Sequence, residues 1–176
     1  MTLFFRSEDG KFALRLGAAQ VEALLGKCRS AGAFETGGIV AGCYTHNLSV
    51  AEVTEVSGPP ADSRAGRTWF ARGVRGAGEW LGKLWKKKQY YLGEWHFHPS
   101  AAPDPSETDI DQMREIASSS GYHCPEPLML IVGGDSARGY RYRAFVSPRD
   151  GLHKELFACD DPFVASSALP SVDTAG

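Results

Sequence analysis

Cysteines are few in this sequence, and their spacing excludes the usual structural roles. Four cysteines occur in 176 residues, and no two of them form a C-x-x-C pair. Neither a disulfide framework nor a cysteine-based structural zinc site is therefore expected. The N-terminal residues (MTLFFRSEDGK) also lack a long apolar run, so we expect no signal peptide and no membrane anchor. These absences predict a cytoplasmic protein whose thiols are reduced.

An excess of charge of one sign is missing as well. The chain has 19 basic and 21 acidic side chains, which gives a formal net charge of −2, so no nucleic-acid partner is expected. Apolar residues make up 43% of the sequence and charged residues 23%, which is typical of a soluble globular domain. A chain of this length can bury about two-thirds of its unfolded surface in one domain.

The composition changes close to the C-terminus. Residues 158–176 are mostly small, polar or acidic, and such a segment cannot bury enough apolar surface to offset the entropy of ordering. We therefore predict one domain over residues 1–157, followed by a disordered tail over residues 158–176.

Hydrophobic periodicity separates the strands from the helices. Helices are predicted over residues 17–30, 74–89 and 106–120, and strands over residues 12–16, 37–44, 49–56, 67–72, 90–98, 128–132 and 140–146. This mixture predicts an α/β domain with a mixed central sheet and helices on both of its faces.

The most informative strand is residues 90–98 (YYLGEWHFH), which ends in His96 and His98. Residues two apart in a strand share a face, with Cα atoms about 6.6 Å apart. Both imidazoles can therefore reach one metal ion, while Trp95 and Phe97 point to an apolar layer on the other face.

A third ligand can come from the helix that follows. After a loop with two prolines, Ser106 opens this helix and Asp109 lies in its first turn, which completes the pattern H-x-H-x7-S-x-x-D. Three protein ligands leave the fourth tetrahedral position of a zinc ion to water, which is the catalytic arrangement rather than the structural one. The pattern therefore predicts one zinc ion bound by His96, His98 and Asp109, and it indicates a hydrolase.

Each part of this pattern has a second interpretation. Ser106 and Asp109 also resemble a capping box, although Glu or Gln is usual at the third helical position. Two histidines in a strand can belong to a solvated face, and Cys43 or Cys124 offers a competing nucleophile. The occurrence of all parts in order favours the metal site.

A hydrolase of this kind also needs a base, and Glu35 is the best candidate. It lies in FETGGIVAG, between a predicted helix and a predicted strand. A solvated acid at the start of a strand is the alternative. Gly37 and Gly38 let the backbone approach a neighbouring strand or a substrate closely.

These segments together resemble the JAMM (MPN+) metallopeptidase family. The resemblance rests on ETGGIVAG, LGEWHFHP and SETD and covers residues 14–145. It implies a cytidine-deaminase-like, three-layer α/β fold and cleavage after the C-terminal glycine of a ubiquitin-like protein. It further implies that His96, His98 and Asp109 bind zinc, that Glu35 is the general base, and that Ser106 donates to the oxyanion.

A narrower resemblance concerns SGPPADSR and RTWFAR, which look like short bacterial members of the family. Some of these belong to anti-phage operons of the CBASS type, beside a ubiquitin-ligase-like protein and a nucleotide cyclase. The resemblance implies that the peptidase releases the cyclase from its conjugates. The expected partners are therefore a ubiquitin-like protein or the C-terminal tail of a conjugated protein, such as the cyclase, and a ligase-like protein.

Three other functions remain as alternatives. A peptidase for a sulfur-carrier protein would use the same metal chemistry in biosynthesis. A non-catalytic scaffold of the MPN type would bind partners only, but such members usually lose zinc ligands that this chain keeps. A zinc nucleotide deaminase would require H-x-E with P-C-x-x-C, which the sequence lacks.

Overall fold

The computed structural model of the chain describes residues 1–45 and 47–163. Three helices occur in this part of the chain: α1 (Ala18–Ala31), α2 (Ala77–Trp85) and α3 (Glu107–Ser118). The strands are β1 (Leu3–Ser7), β2 (Ala13–Leu16), β3 (Thr36–Thr45), β4 (Val50–Val56), β5 (Arg64–Ala65), β6 (Phe70–Ala71), β7 (Tyr90–Pro99), β8 (Leu128–Asp135), β9 (Gly139–Val146) and β10 (Lys154–Ala158).

Eight of these strands form one closed ring, and β5 and β6 form a separate two-stranded hairpin. The order around the ring is β1-β10-β9-β8-β7-β3-β4-β2, and β2 pairs with β1 to close it. The pairs β7–β8 and β2–β4 are parallel, and the other pairs in the ring are antiparallel. The sheet is therefore mixed, and β7 lies between β3 and β8.

Two apolar clusters occupy the two faces of this sheet. The larger cluster joins α1, through Val21, Leu24 and Cys28, to Trp95 and Phe97 of β7 and to inward residues of the other strands. The second cluster joins α2 and α3 to the opposite face of β3, β7, β8 and β9. The alternation of side chains along β7 therefore directs Trp95 and Phe97 to one face and leaves the other face to Glu94, His96 and His98.

The mixed sheet with helices on both faces agrees with the prediction from the sequence. The sheet closes into a ring, and the three-layer arrangement stays a prediction. Strands β1 and β10 were not predicted, although Phe4, Phe5 and Leu156 are buried in them. The predicted helix over residues 74–89 is shorter than expected, and Val74 and Trp85, which the pattern placed inward, are exposed.

The predicted domain boundary falls inside β10, which ends at Ala158. Beyond it, the Cys159 amide donates to the Phe4 carbonyl, and Asp161 forms an ion pair with Arg15 at 2.8 Å. Most of the predicted tail, residues 164–176, lies outside the described residues.

No helix in the described part of the chain is both long and apolar enough to cross a bilayer. The four cysteines are free thiols. Burial raises the pKa of the Cys124 thiol to about 11, which keeps this group protonated at neutral pH and makes it a poor nucleophile.

Candidate metal centre and active site

His96 and His98 lie near the C-terminal end of β7, on the face that α2 and α3 cover. In the strand register, His96 lies opposite Gly37 of β3 and Ile131 of β8, and His98 lies opposite Gly133 of β8. His96 is buried and His98 is half-buried. The site therefore has a rigid strand at its centre, with one imidazole fixed in the core and one near the surface.

Asp109 reaches the same place from the first turn of α3. The Ser106 hydroxyl oxygen accepts a hydrogen bond from the Asp109 amide at 3.1 Å, and the Ser106 amide donates one to Asp109 Oδ2 at 2.8 Å. This reciprocal pair is a capping box with Asp at its third helical position. The Ser106 hydroxyl also donates to Asp109 Oδ2 at 2.7 Å, so one carboxylate oxygen is fixed by the helix cap.

The other carboxylate oxygen turns towards the histidines. Asp109 Oδ1 lies 2.8 Å from His96 Nδ1. One ligand atom from each of His96, His98 and Asp109 can be chosen so that all three lie within 4.8 Å of one another. The set of two imidazole nitrogens and one carboxylate oxygen is typical of a catalytic metal site with an open coordination position, so these residues fit a single metal ion.

Electrostatics hold His96 and Asp109 together. Burial lowers the pKa of His96, but the carboxylates of Asp109 and Glu94 outweigh it and raise this pKa to about 9. The pKa of Asp109 moves the other way: its burial would raise it, and the hydrogen bonds from His96 and Ser106 bring it well below its ordinary value. A metal ion bound by these groups would displace the proton of His96 Nδ1, because metal ligands must be deprotonated.

Glu35 precedes β3 directly. The antiparallel register pairs Thr36 with Phe97, so Glu35 lies next to the end of this ladder, on the side of His98. The Glu35 amide donates to the Gly66 carbonyl at 2.9 Å, which ties it to the loop that carries β5 and β6.

Burial is the largest cause of a raised pKa at the Glu35 carboxyl. The charge of Asp109 adds to this effect, and the charges of His98 and His96 oppose it. The carboxylate therefore lies within electrostatic reach of all three candidate ligands, and a raised pKa suits a group that accepts a proton near neutral pH.

Gly37 lets the neighbouring strand β7 approach closely, as expected, and it also makes room for an aromatic side chain. A Cβ on Gly37 would lie 2.5 Å from the Trp95 carbonyl oxygen and 2.8 Å from Cε1 of Phe70. The Phe70 ring meets the His96 imidazole edge-on, with centroids 5.9 Å apart. The glycine therefore admits Phe70 of this chain against His96, and the aromatic ring forms one wall of the site.

Sequence reasoning missed Glu94, which lies on the same face of β7 two residues before His96. Its side chain is fully buried and forms an ion pair with Arg72, which follows β6. The sequence contained a signal for this residue: an acid in an aromatic-rich strand, two residues before His96 and therefore on the same face.

The chain is similar to known proteins over most of its length. Residues 17–146 match the family described as prokaryotic homologs of the JAB domain. A protein of Enterobacter hormaechei subsp. hoffmannii named CD-NTase/cGAS isopeptidase is 46% identical over 145 residues, which cover 82% of this chain and 81% of that protein.

Two more distant relatives extend the comparison. A probable metalloprotease of Sinorhizobium fredii is 28% identical over 118 residues, which cover 65% of this chain and 71% of that protein. The solution structure of a protein from Desulfitobacterium hafniense superposes with a TM-score of 0.59 at 22% identity and covers 80% of this chain and 87% of its own. This last likeness concerns the fold.

The family match covers nearly the whole domain, and the relative that is 46% identical spans most of both chains. A two-histidine, one-aspartate cluster able to hold a metal ion lies inside the matched region. The chain belongs to the prokaryotic JAB-domain family and is a peptidase of the JAMM type.

Proposed function

We propose that this protein is a zinc-dependent isopeptidase that cleaves after the C-terminal glycine of a ubiquitin-like protein, or of a protein tail conjugated in the same way. The observation that carries the proposal is the convergence of His96, His98 and Asp109 within 4.8 Å, with Glu35 beside them. Its substrate follows the relative named CD-NTase/cGAS isopeptidase: a nucleotide cyclase joined to another protein through its tail.

His96, His98 and Asp109 are the residues that would hold zinc. A zinc ion bound there would polarise the scissile carbonyl and lower the pKa of a water molecule towards 7. The chain's own contribution is orientation: β7 fixes the two imidazoles, and the cap of α3 fixes Asp109 Oδ2 so that Oδ1 faces them.

Glu35 is the proposed general base. It takes a proton from the attacking water and delivers it to the leaving amine, which is a lysine Nζ in an isopeptide. Its half-buried position at the start of β3 raises its pKa through burial, which favours the uptake of a proton.

Ser106 has two proposed roles, since it caps α3 and is exposed beside the site. As an oxyanion donor it would turn its one hydroxyl proton away from Asp109 Oδ2, while its oxygen still accepts from the Asp109 amide. Ser106→Ala should cost about 1 kcal/mol of unfolding free energy through the lost cap. Loss of one donor to the oxyanion should also reduce kcat about 100-fold or more with a modest change in KM. Thermal unfolding and steady-state kinetics measure the two effects separately.

Ser106→Thr is the matched control, because it keeps both the cap and the hydroxyl and should retain most of the activity. A Ser106→Ala protein with a lower melting temperature and an unchanged kcat would leave only the capping role.

Cleavage of a conjugate tests the substrate. The substrate is a genetic fusion of a reporter to the C-terminal tail of a nucleotide cyclase of the kind that the relative's name gives, or of a ubiquitin-like protein. The zinc-loaded enzyme should cut after the terminal glycine, EDTA should stop the reaction, and zinc should restore it. Replacement of that glycine by valine should lower kcat/KM at least about tenfold, or about 1.4 kcal/mol, because a β-branched side chain is bulkier than the glycine that the site is proposed to accept.

Two results would count against this proposal. The enzyme could hydrolyse generic peptides or turn over nucleotides in a zinc-dependent way without cleaving any such tail. That result would support the metal site and contradict the proposed deconjugating activity. Preference for a sulfur-carrier tail over a cyclase tail would assign the enzyme to biosynthesis. The proposed ligase-like partner is tested by sequencing the genes beside this one, where a gene for a ligase-like protein is expected.

A further inference from the structure

Glu94 is the most deeply buried charged side chain near the candidate metal centre. Its residue exposure is 0%, and an isolated carboxylate in such a place would be strongly destabilising. A buried carboxylate of this kind is retained when its oxygens are occupied by specific donors, so the partners of each oxygen indicate what the group does.

The donors around Glu94 are divided between its two oxygens. Oε1 accepts from Arg72 Nε at 2.8 Å and from the Tyr91 hydroxyl at 3.3 Å. Oε2 accepts from Gln112 Nε2 at 2.9 Å. The side chain of Arg72 is itself only 6% exposed. Oε1 is therefore anchored by the ion pair, and Oε2 can still accept one more hydrogen bond on the side that faces His96.

His96 presents the complementary group to that second oxygen. Its Nδ1 faces Asp109, and its Nε2 is buried without a hydrogen-bond partner among the described residues. Glu94 Oε2 lies 3.8 Å from this Nε2. A shift of somewhat less than 1 Å would make this contact a hydrogen bond of ordinary length. The imidazole is thus held between two carboxylates.

We infer that Glu94 is a positioning residue for the metal centre: it accepts the His96 Nε2 proton and so leaves the lone pair of Nδ1 for the metal. The inference rests on the proposed function, since it requires that His96 ligates zinc. Metal-bound histidines generally donate their other N–H to a carboxylate or carbonyl, which fixes the tautomer and the ring orientation. The Arg72–Glu94 pair would supply that partner here.

The same contacts connect the metal centre to the loop between β4 and α2. Arg72 donates from Nη2 to the Tyr122 hydroxyl at 2.9 Å and from Nη1 to the Gly73 carbonyl at 3.0 Å. Two residues earlier, Phe70 packs edge-on against His96. Glu94 therefore anchors this loop and orients His96 at the same time.

The test is the zinc affinity of the Glu94→Gln protein, measured by competition with a chromophoric chelator at a temperature where the metal-free protein is fully folded. The glutamine oxygen would remain with Arg72, so its NH2 group would face His96 Nε2 and place a donor against a donor. We expect zinc affinity to fall about 10- to 100-fold. In zinc-loaded protein, ¹⁵N NMR of the ring should place the His96 proton on Nε2 in the wild type.

Two further variants separate positioning from folding. Glu155→Gln makes the same change at another arginine-paired glutamate, where Arg143 donates to both carboxylate oxygens at 2.8 Å and 2.7 Å, and it should leave zinc affinity within about twofold. If Glu94→Gln does not fold because Arg72 is left unpaired, the double change Arg72→Met/Glu94→Met removes both charges and leaves His96 Nε2 without the Glu94 acceptor. It should fold and show the same weakened affinity.

A cycle with His96→Ala identifies the residue through which Glu94 acts. In that background, Glu94→Gln should weaken the remaining zinc affinity no further. A further tenfold loss there, or wild-type affinity in folded Glu94→Gln protein, would overturn the inference while the proposed metal site survives. If His96→Ala itself leaves zinc affinity unchanged, the proposed site and this inference both fail.

Discussion

Replacing His96 and His98 together with alanine should remove the metal and reduce isopeptide hydrolysis to the background of the metal-free protein. Both imidazoles lie on the same face of β7, and with Asp109 they form the cluster that can hold an ion. One carboxylate cannot retain a zinc ion against solvent or a chelator, since catalytic sites use three protein ligands. Elemental analysis of the purified variant and an assay with the tail fusion measure the two losses.

The control is His123→Asn, at an exposed histidine outside the cluster. Asparagine is chosen because His123 has a φ of 49°, a conformation that asparagine tolerates. This variant should keep one zinc ion per chain and full activity. Stoichiometric zinc in the double alanine variant would place the metal elsewhere and would overturn the assignment.

Glu35→Gln should abolish turnover and leave the metal bound. The amide has nearly the shape of the carboxylate but does not accept a proton, and removal of a positioned general base typically costs about 100- to 10,000-fold in rate. Zinc content should be unchanged, because Glu35 is proposed as base and not as ligand. Glu115→Gln, an exposed acid on α3, is the matched control and should behave as the wild type.

The pH dependence gives an independent test of the same carboxyl. The base must be deprotonated, so kcat/KM should fall as the pH drops through the pKa of Glu35. Burial raises that pKa and the charge of a bound zinc ion would lower it, so the prediction concerns the presence of this limb in the wild type and not its exact pH. The residual activity of Glu35→Gln should lack this limb. A rate close to that of the wild type would mean that another group is the base.

The parts of the site that follow from local periodicity could be predicted. Alternation along one strand separated His96 and His98 from Trp95 and Phe97, and the start signal of α3 placed Asp109 in a first turn. The structure brings these three candidate ligands together, and the family match supports a metallopeptidase. The roles of Glu35 and Ser106 stay predictions.

The parts that depend on distant pairing could not be predicted. Strand β1 (LFFRS) and strand β10 (KELFA) are short and carry little alternation, and each is stabilised by the other across the ring. Arg72 and Glu94 are 22 residues apart, so nothing local indicates that they form a pair. The sequence predicted that a neighbouring strand or a substrate approaches Gly37, and β7 does so, whereas the approach of Phe70 is a tertiary contact that nothing local indicates.

Closure of the ring has a consequence for how the protein is made. Strand β1 forms a ladder with β10, with Phe5 opposite Ala158, so two segments from far ends of the sequence must meet. During synthesis, β1 leaves the ribosome long before β10 exists, and contacts between such distant segments form slowly. Strands β3 and β7, which frame the catalytic residues, can pair earlier. Until β10 arrives, the nascent chain carries open strand edges that can pair with other chains, so it is most vulnerable while the ring lacks this strand.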